Sequence, residues 1–293
     1  MALDGSATGP TVLRILLGSQ LRKLREACGV SRDAAGYEIR ASGSKISRME
    51  LGRVGFKERD VADLLTLYKV SDTGERDALL ALARQANNPG WWHRYGDVLP
   101  HWFQSYLGLE SAAALIRTYE VQYVTGLLQT RDYARAVVLL AHDGAPPDEI
   151  ERRVNLRMDR QQILTRPGAP QLWAVLDEAA LRRPIGGLRV LRDQVAHLIK
   201  ASRLPNVTIQ VIPFAAGGHA AAGGAFSLLR FPDRELPDVI YMEQLTSALY
   251  LDKRDDVDYY AAAMERLCVE ADPPAKSSEF LQRLLAELDA VEG

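Results

Sequence analysis

Apolar residues recur at helical spacing early in the chain. Leu17, Leu21, Leu24 and Ala27 lie three or four positions apart with charges between them, which predicts a helix over 17–27. Gly29 then stops it. Ser31 is an N-cap for a second helix, with Asp33 in the first turn, where the helix dipole favours an anion, and Ala34, Ala35 and Ile39 give a short helix with small residues where another helix can pack closely. After a short turn at Arg40-Ala41, Ser42 caps a third helix over 43–51, in which Ile46 and Met49 face inward, and Gly52 ends it. Residues 57–69 and 74–86 carry two more helices, with Val61, Leu64, Leu65 and Tyr68 on one face of the first and Leu79, Leu80, Leu82 and Ala83 apolar in the second.

Asn87-Asn88-Pro89-Gly90 breaks this pattern. Trp91, Trp92, Tyr95, Trp102, Phe103 and Tyr106 follow, a stretch too aromatic for a free tether. It is expected to pack on the C-terminal domain or on a second chain, or to wall a ligand pocket. Beyond it the period alternates. Residues 113–119 look extended, 130–142 helical, and Pro146-Pro147 opens an amphipathic helix to about Leu164. Residues 171–177 read as a strand and 188–202 as a helix. Short strands are expected at 207–212, 226–231, 239–242 and 248–251, and helices near 255–270 and 277–290. Several short strands separated by tight turns predict a mainly antiparallel sheet with flanking helices. The fold class expected is therefore α+β: an all-α five-helix head over 12–86, an aromatic-rich linker over 87–110 and a larger α+β domain over 111–293.

Composition changes this picture little. The 293 residues are 47% apolar and 25% charged, enough for one or two ordinary cores. Apolar runs reach about six residues, as in Ala136–Ala141, far short of the roughly 18 that span a bilayer. The first residues carry no secretion signal pattern, and Cys28 and Cys268 read as reduced cytosolic thiols, so a cytoplasmic protein with no membrane contact is expected. Charge is more informative. Residues 1–60 hold 11 Lys/Arg against 7 Asp/Glu, a net of +4, whereas the whole chain is at −2. A basic head on an acidic body suits contact with a polyanion through the head.

Two short helices joined by a tight turn in a basic segment form a helix-turn-helix. An α-helix fits the DNA major groove and presents its N-terminal residues to base edges. Ser44, Lys45 and Arg48 lie on the first turns of the third helix and would project outward. Lys45 and Arg48 can donate to guanine O6 and N7, and Ser44 and Ser47 can reach bases or phosphates. Arg32 and Arg53, at the start of the second helix and just after the third, are placed for phosphates. Ser42 joins this set of DNA-binding candidates, although as a cap it serves the helix first.

The motif Leu17-Gly18, Leu21-Arg22, Leu24-Arg25-Glu26, Gly29, Ser31, Ala35, Ser42, Ser44, Ile46-Ser47-Arg48, Glu50, Gly52-Arg53 resembles the lambda-repressor/Cro-like (XRE) family over about residues 14–70. The resemblance implies a DNA-binding transcription regulator and a structural Arg25–Glu50 ion pair. It departs at the inter-helix turn, where Ile39 is followed by charged Arg40. The body carries further motifs: Tyr119-Glu120, Val124 to Thr130, Tyr133 to Ala136, Arg157, Arg160 to Arg166, Asp177 to Gly187, Pro205 to Pro232 and Asp238 to Glu243. These resemble the large C-terminal domain found behind such heads in many regulators of actinomycete-type bacteria, some of them antitoxin-like or developmental. That resemblance implies a domain sensing a small-molecule ligand or a small partner protein.

Signs of catalysis are sparse. The five histidines fall in no metal-ligand spacing, no cofactor is implied, and no nucleophile elbow, phosphate loop or zinc-protease motif occurs, so an enzyme is not expected. The Gly217-Gly218-His219…Gly223-Gly224 segment reads as a long hairpin loop, or as a binding loop or lid, since a Gly-rich loop can cradle an anion. Asp177, Glu178 and Glu243 sit at strand ends and would form an acidic pocket or pair with Arg182 or Arg183. The leading expectation is a homodimeric regulator that binds a double-stranded DNA operator. The alternative is an antitoxin-like interaction module that binds a small partner and autoregulates.

Overall fold

The computed structural model describes residues 9–221, 223–232 and 236–292. It divides into two compact units, Met1–Arg94 with Gln104–Ala112, and Tyr95–Phe103 with Ala113–Gly293.

In the first unit α1 (Pro10–Ala27), α2 (Arg32–Glu38), α3 (Gly43–Glu50), α4 (Glu58–Leu67) and α5 (Thr73–Ala86) enclose one core of Leu17, Leu21, Ile46, Met49, Phe56, Leu64 and Leu65. The first helix starts well before Leu17. Pro10 suits a first turn, whose N–H groups lack intrahelical acceptors, and Val12, Leu13 and Leu16 extend the buried stripe. A Cβ on Gly18 would lie 2.4 Å from the Met49 carbonyl oxygen, so glycine is what lets α1 pass this close to the end of α3.

The helix ends share one device. Gly29 and Gly52 take left-handed φ of 66° and 64°, and the next N–H reaches back, from Val30 to Arg25 O at 3.1 Å and from Arg53 to Arg48 O at 2.8 Å. Helices α2 and α4 close in the same way on Arg40 (φ 53°) and Lys69 (φ 59°), with Ala41 N donating to Gly36 O at 2.8 Å and Val70 N to Leu65 O at 3.0 Å. This defines the turn of the helix-turn-helix. Ile39 is 5% exposed and fills the core, while Arg40 reverses the chain outside it.

Trp91–Tyr95 forms a short 3-10 turn and α6 covers His101–Ala112, where the sequence suggested a linker. Trp92 and Tyr106 are buried, and Trp91 Nε1 donates to Ser111 Oγ at 3.2 Å.

The second unit is built on a six-stranded mixed sheet. Its elements are β1 (Leu115–Glu120), α7 (Arg131–Ala141), α8 (Pro147–Gln161), β2 (Gln171–Asp177), α9 (Glu178–Arg182), α10 (Leu188–Ala201), β3 (Val207–Ile212), β4 (Phe226–Arg230), β5 (Val239–Glu243), β6 (Ala248–Leu251), α11 (Arg254–Glu270) and α12 (Pro274–Glu292). The strand order is β3-β2-β1-β4-β5-β6. Three of the five pairings are antiparallel; β1–β2 and β2–β3 are parallel. Parallel neighbours need long crossovers, which α7–α8 and α9–α10 supply.

One sheet face, with Tyr119, Val175, Phe226, Leu228 and Ile240, packs on Val257, Met264 and Leu267 of α11. The other carries Ile116, Leu172, Ala174 and Leu176, all at most 1% exposed. The β3 edge is covered, because Val211 N donates to Ser277 Oγ at 3.0 Å and Asp272 N to Val211 O at 2.9 Å.

Two expectations are corrected here. The Gly217–Gly224 segment is not a hairpin loop, because β3 and β4 are separated by β2 and β1. Since β3 runs parallel to β1 and β4 runs against it, the connection must cross the carboxyl ends of β2 and β1. There His219 Nε2 lies 2.9 Å from Tyr119 Oη and 3.8 Å from Asp177. Nor do Asp177, Glu178 and Glu243 share a pocket. Asp177 caps α9 through Ala179 N at 2.8 Å, Glu178 pairs with Arg182 at 2.5 Å, and the strand register puts Glu243 on the opposite sheet face from Asp177.

Candidate nucleic-acid interface

Helix α3 exists because its two sides are chemically distinct. Ile46, Met49 and Glu50 are buried, while Ser44 and Arg48, four positions apart, are exposed and Ser47 is half-buried between them. The Ser42 hydroxyl accepts from Lys45 N at 3.3 Å, so this side chain is occupied as the cap, and Ser31 does the same for α2 through Ala34 N at 3.1 Å. Ser44 and Arg48 make no side-chain hydrogen bond or ion pair among the described residues. Their donors are the ones left for another molecule. Arg53 is exposed three positions beyond Glu50, the last residue of the helix, and its backbone N–H closes the turn.

Behind this surface lies a buried ionic clamp. Arg25 Nε and Nη2 reach the two Glu50 oxygens at 2.5 and 3.1 Å, with side chains only 8% and 2% exposed, and Arg25 Nη1 also donates to Val30 O at 2.9 Å. The hydrogen bond to Glu50 raises the Arg25 pKa further, outweighing desolvation, so the guanidinium stays charged. The fork geometry ties α1 to the end of α3.

The same carboxylate takes Arg32 Nε at 3.3 Å, but the Arg32 side chain is 46% exposed and keeps donors toward solvent. Lys45 departs from the outward geometry expected of it. Its ammonium folds back to Asp60 at 2.8 Å, because the Asp60 carboxylate at the start of α4 is buried and needs a counter-charge. Lys45 is therefore a half-buried strut from α3 to α4 rather than a free donor.

Tyr37 and Arg40 were not singled out by the sequence. Tyr37 is 86% exposed, and with Glu38, Arg40, Ala41 and Ser42 it lines a shallow open groove at the head of α3. Among the described residues Arg40 makes no side-chain hydrogen bond or ion pair, it is exposed, and its left-handed backbone (φ 53°) reverses the chain there. The signal available was the burial of Ile39, which forces its neighbours to the outside of a one-turn reversal.

Comparison with known families gives two matches. Residues 16–79 match a model described as a helix-turn-helix domain, and residues 103–283 match one described as a domain of unknown function (DUF5753). Neither the curated proteins nor the solved structures contain a match. No helix among the described residues is long and apolar enough to cross a membrane. With the second match covering well over half of the residues, the chain belongs to the DUF5753 family and carries in its N-terminal part a helix-turn-helix domain of the kind that binds DNA.

Proposed function

We propose that the protein is a sequence-specific transcription regulator that acts in the cytoplasm as a homodimer, with a C-terminal domain that senses a small ligand or partner. It works by binding, and neither unit is assigned a catalytic step. The observation that carries this reading is the face of α3 on which Ser44 and Arg48 stand exposed with unused donors, backed by the Arg25–Glu50 clamp. Arg48 donates to base edges in the major groove, Ser44 and Ser47 to bases or phosphates, and Arg32, Arg53, Tyr37 and Arg40 to the flanking backbone. Lys45 contributes charge near the phosphates while held on Asp60.

Genome-wide mapping of bound DNA gives the operator, and half-sites about one helical turn apart are expected for two heads of a dimer. On that operator Arg48→Ala should weaken specific binding by roughly 1–3 kcal/mol and relax preference at one base pair. A titration indistinguishable from wild type removes Arg48 from the readers.

A further inference from the structure

Helix α3 carries two long cations, and the structure treats them differently. Arg48 is exposed and makes no side-chain hydrogen bond or ion pair among the described residues. Lys45 holds the Asp60 carboxylate at 2.8 Å, and the two side chains are 31% and 3% exposed. Asp60 lies in the first turn of α4 beside buried Val61, so its charge is cut off from bulk solvent. Among the described residues its other cation is Arg59, at 3.9 Å and with a side chain 71% exposed, too far for a hydrogen bond. Lys45 stands one turn before both exposed Arg48 and buried Met49, at the border of the two faces of α3. Freed from Asp60, its long stem would carry the ammonium to the Arg48 side.

A duplex in the groove offers Lys45 a phosphate in exchange for Asp60. The two sides of that exchange are unequal. Leaving Asp60 strands a buried carboxylate, and removing one partner of such a pair disfavours the state by about a hundredfold or more. A phosphate contact made by a lysine is a point-charge contact in water. Sequence-independent binding spread over roughly six to ten such contacts gives each about fivefold in affinity. The carboxylate therefore keeps the lysine, by more than about tenfold. Arg48 faces no such competition, because it leaves no buried acid behind when it turns to DNA.

We propose that Asp60 is an internal substitute for a DNA phosphate: it keeps Lys45 in the free and the bound head alike, and so holds the affinity of the head for any duplex one cation below what the α3 sequence offers. Asp60 is a positioning residue, acting on DNA through Lys45 and touching none itself. The proposal rests on the DNA reading above and deepens it. Held on Asp60, Lys45 lends the surface its field but releases no counterion from a phosphate, so the salt dependence of binding does not count it.

The test uses the full chain and a duplex of scrambled sequence, with binding followed over a series of salt concentrations. D60N frees the ammonium without stranding a charge, since the Lys45 side chain is 31% exposed and can turn to water. It should bind the duplex about three- to tenfold more tightly at low salt and steepen the salt-dependence slope by about one counterion. Adding K45M to D60N should remove that gain. D63N takes from the same helix a carboxylate that makes no ion pair among the described residues, and so controls for lost repulsion alone; its slope should change far less. A D60N slope equal to that of the wild type or of D63N overturns the proposal, as does a gain that survives K45M. One measurement needs no variant to fold. In the wild-type chain the proton–nitrogen signal of the Lys45 ammonium should keep its position and its slow exchange with water when the duplex is added, and its displacement overturns the proposal. A wild-type chain that ignores the duplex even at low salt sinks the DNA reading and this proposal with it, whereas wild-type binding with an unchanged D60N slope sinks only the role of Asp60.

Discussion

Replacing Glu50 by alanine leaves the Arg25 guanidinium in place without its counter-ion. With the Arg25 side chain 8% exposed, the charge cannot turn to water unless the α1–α3 contact opens. Removing one partner of such a pair costs roughly 3–5 kcal/mol. Arg25 keeps its hydrogen bond to Val30 O at 2.9 Å and a contact with Glu26 at 3.3 Å, which offset part of the loss and place the expectation near the lower end, at about 3 kcal/mol. For a helical unit of this size that corresponds to a fall of roughly 12–24 °C in its melting transition. Urea unfolding measures the energy, and amide hydrogen exchange in α1 and α3 localises it. The Arg25→Ala, Glu50→Ala double variant should be more stable than the sum of the single losses by about 2 kcal/mol, since it buries no orphan charge. A Glu50→Ala loss below about 1 kcal/mol, or single effects that simply add, would refute the clamp.

Three further outcomes are expected. Arg32→Ala should weaken binding to all duplexes alike and lower the salt-dependence slope by about one counterion, and equal slopes would show that Arg32 stays on Glu50 in the complex. Lys69→Gly should stabilise the head by about 0.5–1 kcal/mol, because an exposed L-residue at φ 59° carries left-handed strain that glycine lacks; a denaturant midpoint that falls instead would show that Lys69 earns its place by a contact. Glu120, with an ordinary value of 4.5 raised to about 7 by burial, is protonated more readily in the folded chain than in the unfolded one. Stability contributed by that proton is complete below about pH 4.5 and is lost as pH rises through 7, on the order of 2–3 kcal/mol; Glu120→Gln should flatten that part of the stability–pH curve, and an unchanged slope would count against the buried carboxyl.

The elements were legible where the apolar period is clean. Residues 207–212 alternate, 171–177 and 248–251 are short apolar runs, and the three are β3, β2 and β6 to the residue, while the glycines at 29 and 52 mark helix ends because left-handed backbone suits them. Helix α1 was read short, since its first turns lack the charges that make a stripe stand out. The Arg25–Glu50 pair was reached only through the family resemblance. The Asp60 anchor of Lys45 was not readable at all, because a lysine on a helix looks the same whether its ammonium meets water or a carboxylate fifteen residues on.

Local pattern by itself determined the helical head, its caps, the exposed Ser44–Arg48 side of α3 and the strand segments of the body, because each follows from spacing within a few residues. Strand neighbours were decided only in three dimensions. A period of two says which side chains share a face but not which strand lies alongside, so the parallel half of the sheet, the crossing path of Gly217–Gly224 and the separation of Asp177 from Glu243 appear only once the chain is packed. The same holds for Glu120 and Glu243. Nothing in their sequence neighbourhoods connects them, and it is the pairing of β1, β4 and β5 that sets them at one level on the same sheet face.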